Sequence, residues 1–222
     1  MGIVIDKQVN THCKLGVWQI TEEYSDLFSR VDLDQNDYET LLAFRNQKRK
    51  LEWLSIRVLL DTLTNKKNKI LYNGNRRPYL SDRSYNISIS HSDRYATILI
   101  CKDKHVGIDI EKMRPIIGNI ATKFLKEKEL KQIDHSQKIY HLYLHWCAKE
   151  ALYKICDRKR MSLKNNITIE PFIPDESGIM HGNVHYKDIS DRFKLNYFSI
   201  NNYSVVWCRK ESLNDDLQHN YS

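Results

Sequence analysis

Residues 106–115 read VGIDIEKMRP, and this segment restricts the fold more than any other part of the chain. Apolar β-branched residues alternate there with two carboxylates, Asp109 and Glu111. Strict alternation predicts a β-strand, and side chains two positions apart project from the same face. Ile108 and Ile110 therefore share one face, while the two acids lie side by side on the other. Adjacent like charges repel, so either that face is solvated or the acids surround a cation.

The composition is that of a folded protein with a basic surface. The 222 residues are 41% hydrophobic, which is enough for one large domain or two small ones. The formal net charge of +7 favours an acidic partner: nucleic acid, an anionic membrane, a phosphorylated ligand or an acidic protein. The five cysteines are scattered without a CxxC spacing, so we expect reduced thiols and neither a disulfide framework nor a zinc knuckle.

The N-terminal residues predict no targeting segment. They read MGIVIDKQVN and lack the basic region and apolar run of a signal peptide. No apolar run in the chain approaches the roughly 20 residues needed to cross a bilayer. We therefore expect a cytoplasmic protein that does not span a membrane.

Helical and strand-like patterns occur in groups along the chain. Strands are predicted at residues 15–20, 85–89, 95–101 and 105–111. Helices are predicted at residues 37–64, 120–133 and 137–157. Short runs rich in aromatic and β-branched residues follow within residues 167–208 and predict antiparallel strands. Segregated helices and strands, rather than strict alternation, are typical of an α+β fold.

The segment WCAKEALYK, residues 146–154, contains a third candidate carboxylate. Glu150 and Lys154 share one face of a predicted helix, whereas the head of Lys149 lies off that line. An i,i+4 pair of this type is also an ordinary surface pair, worth about 0.3–0.5 kcal/mol. Joined to the acidic strand, Glu150 would complete a set of three hard oxygen ligands suited to Mg²⁺. The spacing alone does not show that the strand and the helix meet.

Together these two segments resemble the signature of the 4′-phosphopantetheinyl transferases, in the form found in the Sfp-like group. That signature is Gly-(Ile/Val)-Asp-x-Glu, then, several dozen residues later, Trp-x-x-Lys-Glu-(Ala/Ser)-x-x-Lys. The chain has GIDIE at 107–111 and WCAKEALYK at 146–154. Glu129 between them, Arg77 before a proline, and the SHS of residues 90–92 also resemble family positions.

The resemblance implies a pseudo-duplicated α+β fold of two similar halves, with the active site in the cleft between them. Residues 1–104 would form the half that contributes coenzyme A contacts. Residues 105–210 would form the half with the metal site, and residues 211–222 would be a polar tail. The implied reaction moves 4′-phosphopantetheine from coenzyme A to a serine of an apo acyl or peptidyl carrier protein. The other product is 3′,5′-adenosine bisphosphate.

The resemblance also implies roles for the acidic residues. Asp109, Glu111 and Glu150 would hold Mg²⁺, with Mn²⁺ as the alternative metal. Glu150 and Lys154 would be catalytic: Glu150 as the base for the carrier serine, and Lys154 at the pyrophosphate.

Coenzyme A contacts are implied for residues of the N-terminal half. These are Arg49, Arg77, Ser90 and His91, which would act together with Lys154. For Arg49 a solvated helix face is the alternative interpretation, and for His91 a structural role.

The partner is expected to be an acidic carrier protein, which a basic enzyme attracts. Met113, Ile116 and Ile117 follow the acidic strand and are the candidate apolar contacts for the carrier, with core packing as the alternative. We expect no nucleic-acid partner and no membrane partner, and a monomeric protein.

Other functions stay open at this point. A two-metal nuclease also uses carboxylates and a lysine, and a carrier-binding module without activity would share the fold. No RNP motif or zinc finger supports a nucleic-acid binder. His141 and His145 have metal-capable spacing, but the Glu of HExxH is missing, so we interpret them as helix-face residues.

Overall fold

The computed structural model describes residues 2–158, 160–187 and 189–210. The chain forms two compact units, the first ending at Lys102 and the second beginning at Asp103. Their described residues contain helices and three antiparallel sheets, which confirms the predicted α+β class. The pseudo-duplication and the cleft stay predictions. The predicted polar tail, residues 211–222, lies outside the described residues.

The first unit is a four-stranded sheet that packs against one long helix. Its elements are β1 (Ile3–Asn10), β2 (Cys13–Gln19), α1 (Tyr24–Phe28), α2 (Gln35–Ala43), α3 (Gln47–Thr64), β3 (Ile70–Tyr72), β4 (Pro78–Leu80), β5 (Asn86–Ser92) and β6 (Tyr95–Cys101). The strand order is β1-β2-β6-β5, while β3 and β4 pair separately. Helix α3 packs against β2 and β6, and Trp18, Leu54, Leu59 and Ile98 are buried in this core.

The single helix predicted at residues 37–64 is two helices, α2 and α3. The chain is extended at Phe44 and Asn46, and the Asn46 side chain accepts a hydrogen bond from the Lys48 backbone N–H at 2.9 Å. Asparagine is a favoured N-cap because its oxygen satisfies a backbone donor that the first helical turn leaves unpaired. The apolar pattern continues across this break, so periodicity alone did not locate it.

The expectation of five reduced thiols is wrong for one pair. Cys13 and Cys101 lie directly opposite each other in the β2–β6 register and form a disulfide. Cys147, Cys156 and Cys208 keep their thiols. The two bonded residues are 88 positions apart in the sequence, and only the pairing of the strands brings them together.

The second unit is a five-stranded sheet covered by a long helix. Its elements are β7 (Val106–Lys112), α4 (Ile117–Phe124), α5 (Glu127–Leu130), α6 (Lys138–Cys156), α7 (Leu163–Asn166), β8 (Ile167–Ile169), β9 (Ser177–Tyr186), β10 (Ile189–Ile200) and β11 (Tyr203–Arg209). The strand order is β7-β11-β10-β9-β8, and α6 packs against β7 and β11. The helix predicted at 120–133 is two short helices, because the chain is extended at Leu125.

None of the helices in the described part of the chain combines the length and apolar character needed to span a membrane.

Candidate active site

Strand β7 directs Asp109 and Glu111 toward helix α6. Gly107 identifies the face of β7 that points toward α6, because a Cβ on this residue would lie 2.1 Å from the carbonyl oxygen of Ala151 in α6. Residues 107, 109 and 111 share one face of the strand, so both acids project on the helix side. Glu111 also lies opposite Ser204 of β11. The acids are thus held between a helix and a neighbouring strand.

Helix α6 brings Lys154 into contact with the acidic strand. The Lys154 ammonium donates hydrogen bonds to Asp109 Oδ1 and to the carbonyl of Ile108, both at 2.8 Å. Glu150 lies one turn earlier on the same helix face. Strand β7 and helix α6 are therefore in contact, which the spacing of their residues in the sequence did not show.

The charges of the three carboxylates affect one another. Burial raises the pKa of Glu150 to about 7, and the charges of Asp109 and Glu111 add to this rise, whereas Lys154 opposes it. Burial and the two neighbouring acids thus both favour the protonated form of Glu150. A nearby cation would reverse this effect.

The donor set suits a hard divalent cation. Carboxylate oxygens are the ligands that Mg²⁺ and Mn²⁺ prefer, and a cation would offset the charges of Asp109 and Glu111 that act on Glu150. Within the described part of the chain, Asp109, Glu111 and Glu150 do not form a group whose ligand atoms all lie within 4.8 Å of one another. Binding one ion by all three carboxylates therefore requires their oxygens to come closer together.

The segment that contains the three carboxylates matches a known protein family. The family model of the 4′-phosphopantetheinyl transferase superfamily matches residues 105–205, a segment that contains β7, α6 and the three carboxylates. Residues 105–205 are a 4′-phosphopantetheinyl transferase superfamily domain. The chain is therefore a transferase, and the superfamily implies transfer of phosphopantetheine from coenzyme A to carrier proteins. No curated protein matches the chain significantly. Membership of the Sfp-like group stays a prediction.

Two residues beside the transferase's acids had no signal in the sequence. Cys147 of α6 is buried, and its Sγ lies 3.7 Å from the carbonyl oxygen of Ser204. Burial raises the pKa of the Cys147 thiol, and the charges of Asp109 and Glu111 raise it further. The Ser204 hydroxyl is also buried and has no hydrogen-bond partner among the described residues. In the sequence, both residues look like ordinary members of a helix and a strand.

A buried ion pair lies on another side of α6. Lys149 Nζ is 2.9 Å from Glu129 Oε2 of α5, and both side chains are fully buried. Glu129 is one of the positions that resemble the transferase family, but its partner could not be inferred from the sequence. The prediction that Lys149 lies off the line of Glu150 and Lys154 agrees with its contacts, which are with α5 and the region around β8.

The predicted coenzyme A residues are only partly brought together. Arg49 of α3 contacts His91 of β5, and each approaches Glu52 Oε2, at 3.3 Å and 3.2 Å respectively. Ser90 projects from the opposite face of β5, since neighbouring strand residues alternate in direction. Arg77 lies in the turn before β4, where its backbone N–H donates to Asn73 Oδ1 at 2.9 Å. Arg49 and His91 therefore form a cluster around Glu52.

The predicted carrier contacts differ in exposure. Ile116 is 61% exposed, whereas Ile117 is 3% exposed and packs in the core with Phe124. Met113 is half-buried against the same core. The Ile117 side chain is therefore part of the core in this structure, and Ile116 is the residue that presents apolar surface.

The two histidines of α6, predicted to be helix-face residues, lie on the buried face of that helix. His141 and His145 are both 1% exposed, and both rings contact Phe172. Burial lowers the pKa of each imidazole. His141 Nδ1 accepts a hydrogen bond from the Asp134 backbone N–H at 3.0 Å, which assigns it a structural contact.

Proposed function

We propose that the protein transfers 4′-phosphopantetheine from coenzyme A to a serine of an acyl or peptidyl carrier protein, in a Mg²⁺-dependent reaction. The serine oxygen bonds to the phosphorus that carries the pantetheine arm. The bond from that phosphorus to the bridging oxygen breaks and releases 3′,5′-adenosine bisphosphate. The observation that carries the proposal is the contact of Lys154 with Asp109, which sets Glu150 and the acidic strand at one place.

Asp109, Glu111 and Glu150 would hold the metal, with Mn²⁺ as the alternative. When bound, such an ion neutralises negative charge on the pyrophosphate oxygens. The set of three buried or half-buried carboxylates, close enough for the charges of Asp109 and Glu111 to affect Glu150, supports this assignment.

Glu150 and Lys154 have different proposed roles in the transfer reaction. Glu150 is the proposed base that takes the proton of the carrier serine, because its carboxyl group lies near the acids of β7 and one helical turn from Lys154. Lys154 is 27% exposed and keeps a flexible ammonium beside Asp109. Its charge can turn to the pyrophosphate once the acids are neutralised.

Arg49 and His91 are the strongest candidates for binding the phosphates of coenzyme A. Their cluster joins a guanidinium and an imidazole, and Glu52 compensates part of the positive charge. Arg49 contacts Glu52 through one nitrogen at 3.3 Å, and a guanidinium can also form paired charge-assisted hydrogen bonds with a phosphate. Arg77, Ser90 and Lys154 remain further proposed contacts.

The carrier protein would approach the exposed side chain of Ile116, with the half-buried Met113 near it in the sequence. The net charge of +7 would attract an acidic carrier over a distance and make binding sensitive to salt. We propose a monomeric cytoplasmic enzyme without nucleic-acid or membrane partners.

A mass measurement tests the proposal. Apo acyl carrier protein is incubated with the enzyme, coenzyme A and Mg²⁺, and the carrier is weighed by mass spectrometry. We expect the mass of one phosphopantetheine to be added, and the addition to stop with a chelator or in Asp109→Ala. Glu127→Ala, which changes an exposed acid of α5, is the matched control and should remain active. No mass gain with any apo acyl or peptidyl carrier would contradict the proposal.

A further inference from the structure

The ammonium of Lys149 is completely satisfied inside the second unit. It donates to Glu129 Oε2 at 2.9 Å, to the carbonyl of Ile167 at 2.8 Å and to the carbonyl of Leu163 at 3.2 Å. A lysine has three donors, and all of them have acceptors here. The three acceptors belong to α5, α7 and β8. One side chain of α6 is thus tied to three other elements.

The carboxylate of Glu129 is equally well satisfied. Besides Lys149, its Oε2 accepts from the Lys126 backbone N–H at 2.9 Å, and its Oε1 accepts from the Ile169 backbone N–H at 3.0 Å. The acid therefore binds the start of α5 and strand β8 together with α6. This network has a defined geometry, because each bond fixes the direction of the next.

Stability alone is a poor reason for such a pair. Removing two charges from water costs several kcal/mol for each ion, and apolar side chains of similar size are often as stable or more stable in its place. What a buried pair adds is a unique arrangement of the elements it joins. In this unit, the Lys149–Glu129 pair fixes α6, the helix that contains Glu150.

Lys149 and Glu150 are consecutive on α6, so fixing the direction of the first fixes that of the second, about 100° around the helix axis. We infer that the Lys149–Glu129 pair is a positioning pair, which sets the rotation of α6 so that Glu150 faces the acids of β7. The inference rests on the proposed function, because it assigns the pair to the orientation of a proposed catalytic residue. A small misplacement of such a group is costly to the rate.

The test compares the buried Glu129–Lys149 pair with an exposed pair at α5. In Glu129→Met/Lys149→Met both charges are replaced by apolar side chains. Glu127→Gln/Lys131→Gln is the matched control, since this pair joins the first residue of α5 to its C-cap, with side chains 81% and 74% exposed. We expect the buried double variant to fold but to lose at least about tenfold in kcat, with KM for coenzyme A changed less than about twofold. The control should keep wild-type kinetics.

A cycle with Glu150 separates positioning from a general loss of structure. If the pair acts through Glu150, the same double substitution in a Glu150→Gln background should lower kcat by less than about twofold further. A folded Glu129→Met/Lys149→Met variant with wild-type kcat would overturn the inference. So would an equal fold-loss in kcat from this double substitution in the wild-type and Glu150→Gln backgrounds. If that variant does not fold, Glu129→Gln, which removes only the charge, decides by the same criteria.

Metal affinity gives a readout that does not need turnover. Mn²⁺ binding, followed by electron paramagnetic resonance, should weaken at least about fivefold in the buried double variant and stay unchanged in the control. Unchanged affinity in the buried variant would also contradict the inference. Failure of wild-type protein to modify a carrier would instead end the proposed function, so the two failures are distinguishable.

Discussion

Gly107 of β7 lies directly against the backbone carbonyl of Ala151 in α6. A Cβ at position 107 would be 2.1 Å from that oxygen, far closer than van der Waals contact allows. The missing side chain is what lets the strand and the helix approach, and Asp109 and Lys154, further along the same two elements, meet as a result at 2.8 Å. The glycine of the GIDIE segment therefore has a packing role in bringing the site together.

Gly107→Ala should separate β7 from α6. We expect a loss of about 1–3 kcal/mol in the free energy of unfolding, because the clash is with backbone rather than a flexible side chain. Transferase activity should also fall, because separating β7 from α6 moves Asp109 away from Lys154. Urea denaturation measures the first effect. Gly118→Ala is the control, because a Cβ there meets nothing within 4 Å. Equal stability of the two variants would contradict the close approach.

The raised pKa of Glu150 predicts how stability depends on pH without metal. Its folded pKa of about 7 exceeds the ordinary value of 4.5, so between these values the folded protein holds a proton that the unfolded chain has released. This contribution therefore decreases stability as pH rises through that window, by about 3 kcal/mol in total. In EDTA, Glu150→Gln should gain stability over wild type at pH 8 but not at pH 4. A difference between the two proteins that is independent of pH would refute the assignment.

Arg49→Ala should weaken coenzyme A binding without slowing the chemical step. A lost guanidinium–phosphate contact is expected to raise KM for coenzyme A about tenfold and leave kcat within about twofold. Steady-state kinetics at saturating carrier measure both. Lys66→Ala, which removes an exposed lysine paired with Asp82 in the same unit, should leave KM unchanged. If both variants have wild-type KM, Arg49 belongs to a solvated helix face.

The Cys13–Cys101 bond predicts the number of reactive thiols. Unfolded protein treated with iodoacetamide should take up three adducts without reductant and five after reduction, as counted by mass spectrometry. The two unmodified residues should be in peptides containing Cys13 and Cys101. Five adducts before reduction would show that the pair is reduced in the purified protein.

Local patterns predicted the elements of the site better than their contacts. Alternation placed both acids of β7 on one face, and helical spacing placed Glu150 and Lys154 together on α6. The meeting of the two elements depends on a backbone approach at Gly107, which no periodicity records. The different burial of Ile116 and Ile117 is likewise decided by what α4 packs against. Residues distant in sequence, such as Lys149 and Glu129, are joined only by the tertiary fold.

The central claim is that Asp109, Glu111 and Glu150 converge on one divalent ion. It is tested most directly by titrating Mn²⁺ into the protein in the presence of coenzyme A and following free Mn²⁺ by electron paramagnetic resonance. We predict one tight site in the wild type, weakened at least about tenfold by alanine at each of the three positions and unchanged in Glu127→Ala. Wild-type affinity in all three single variants would contradict the claim.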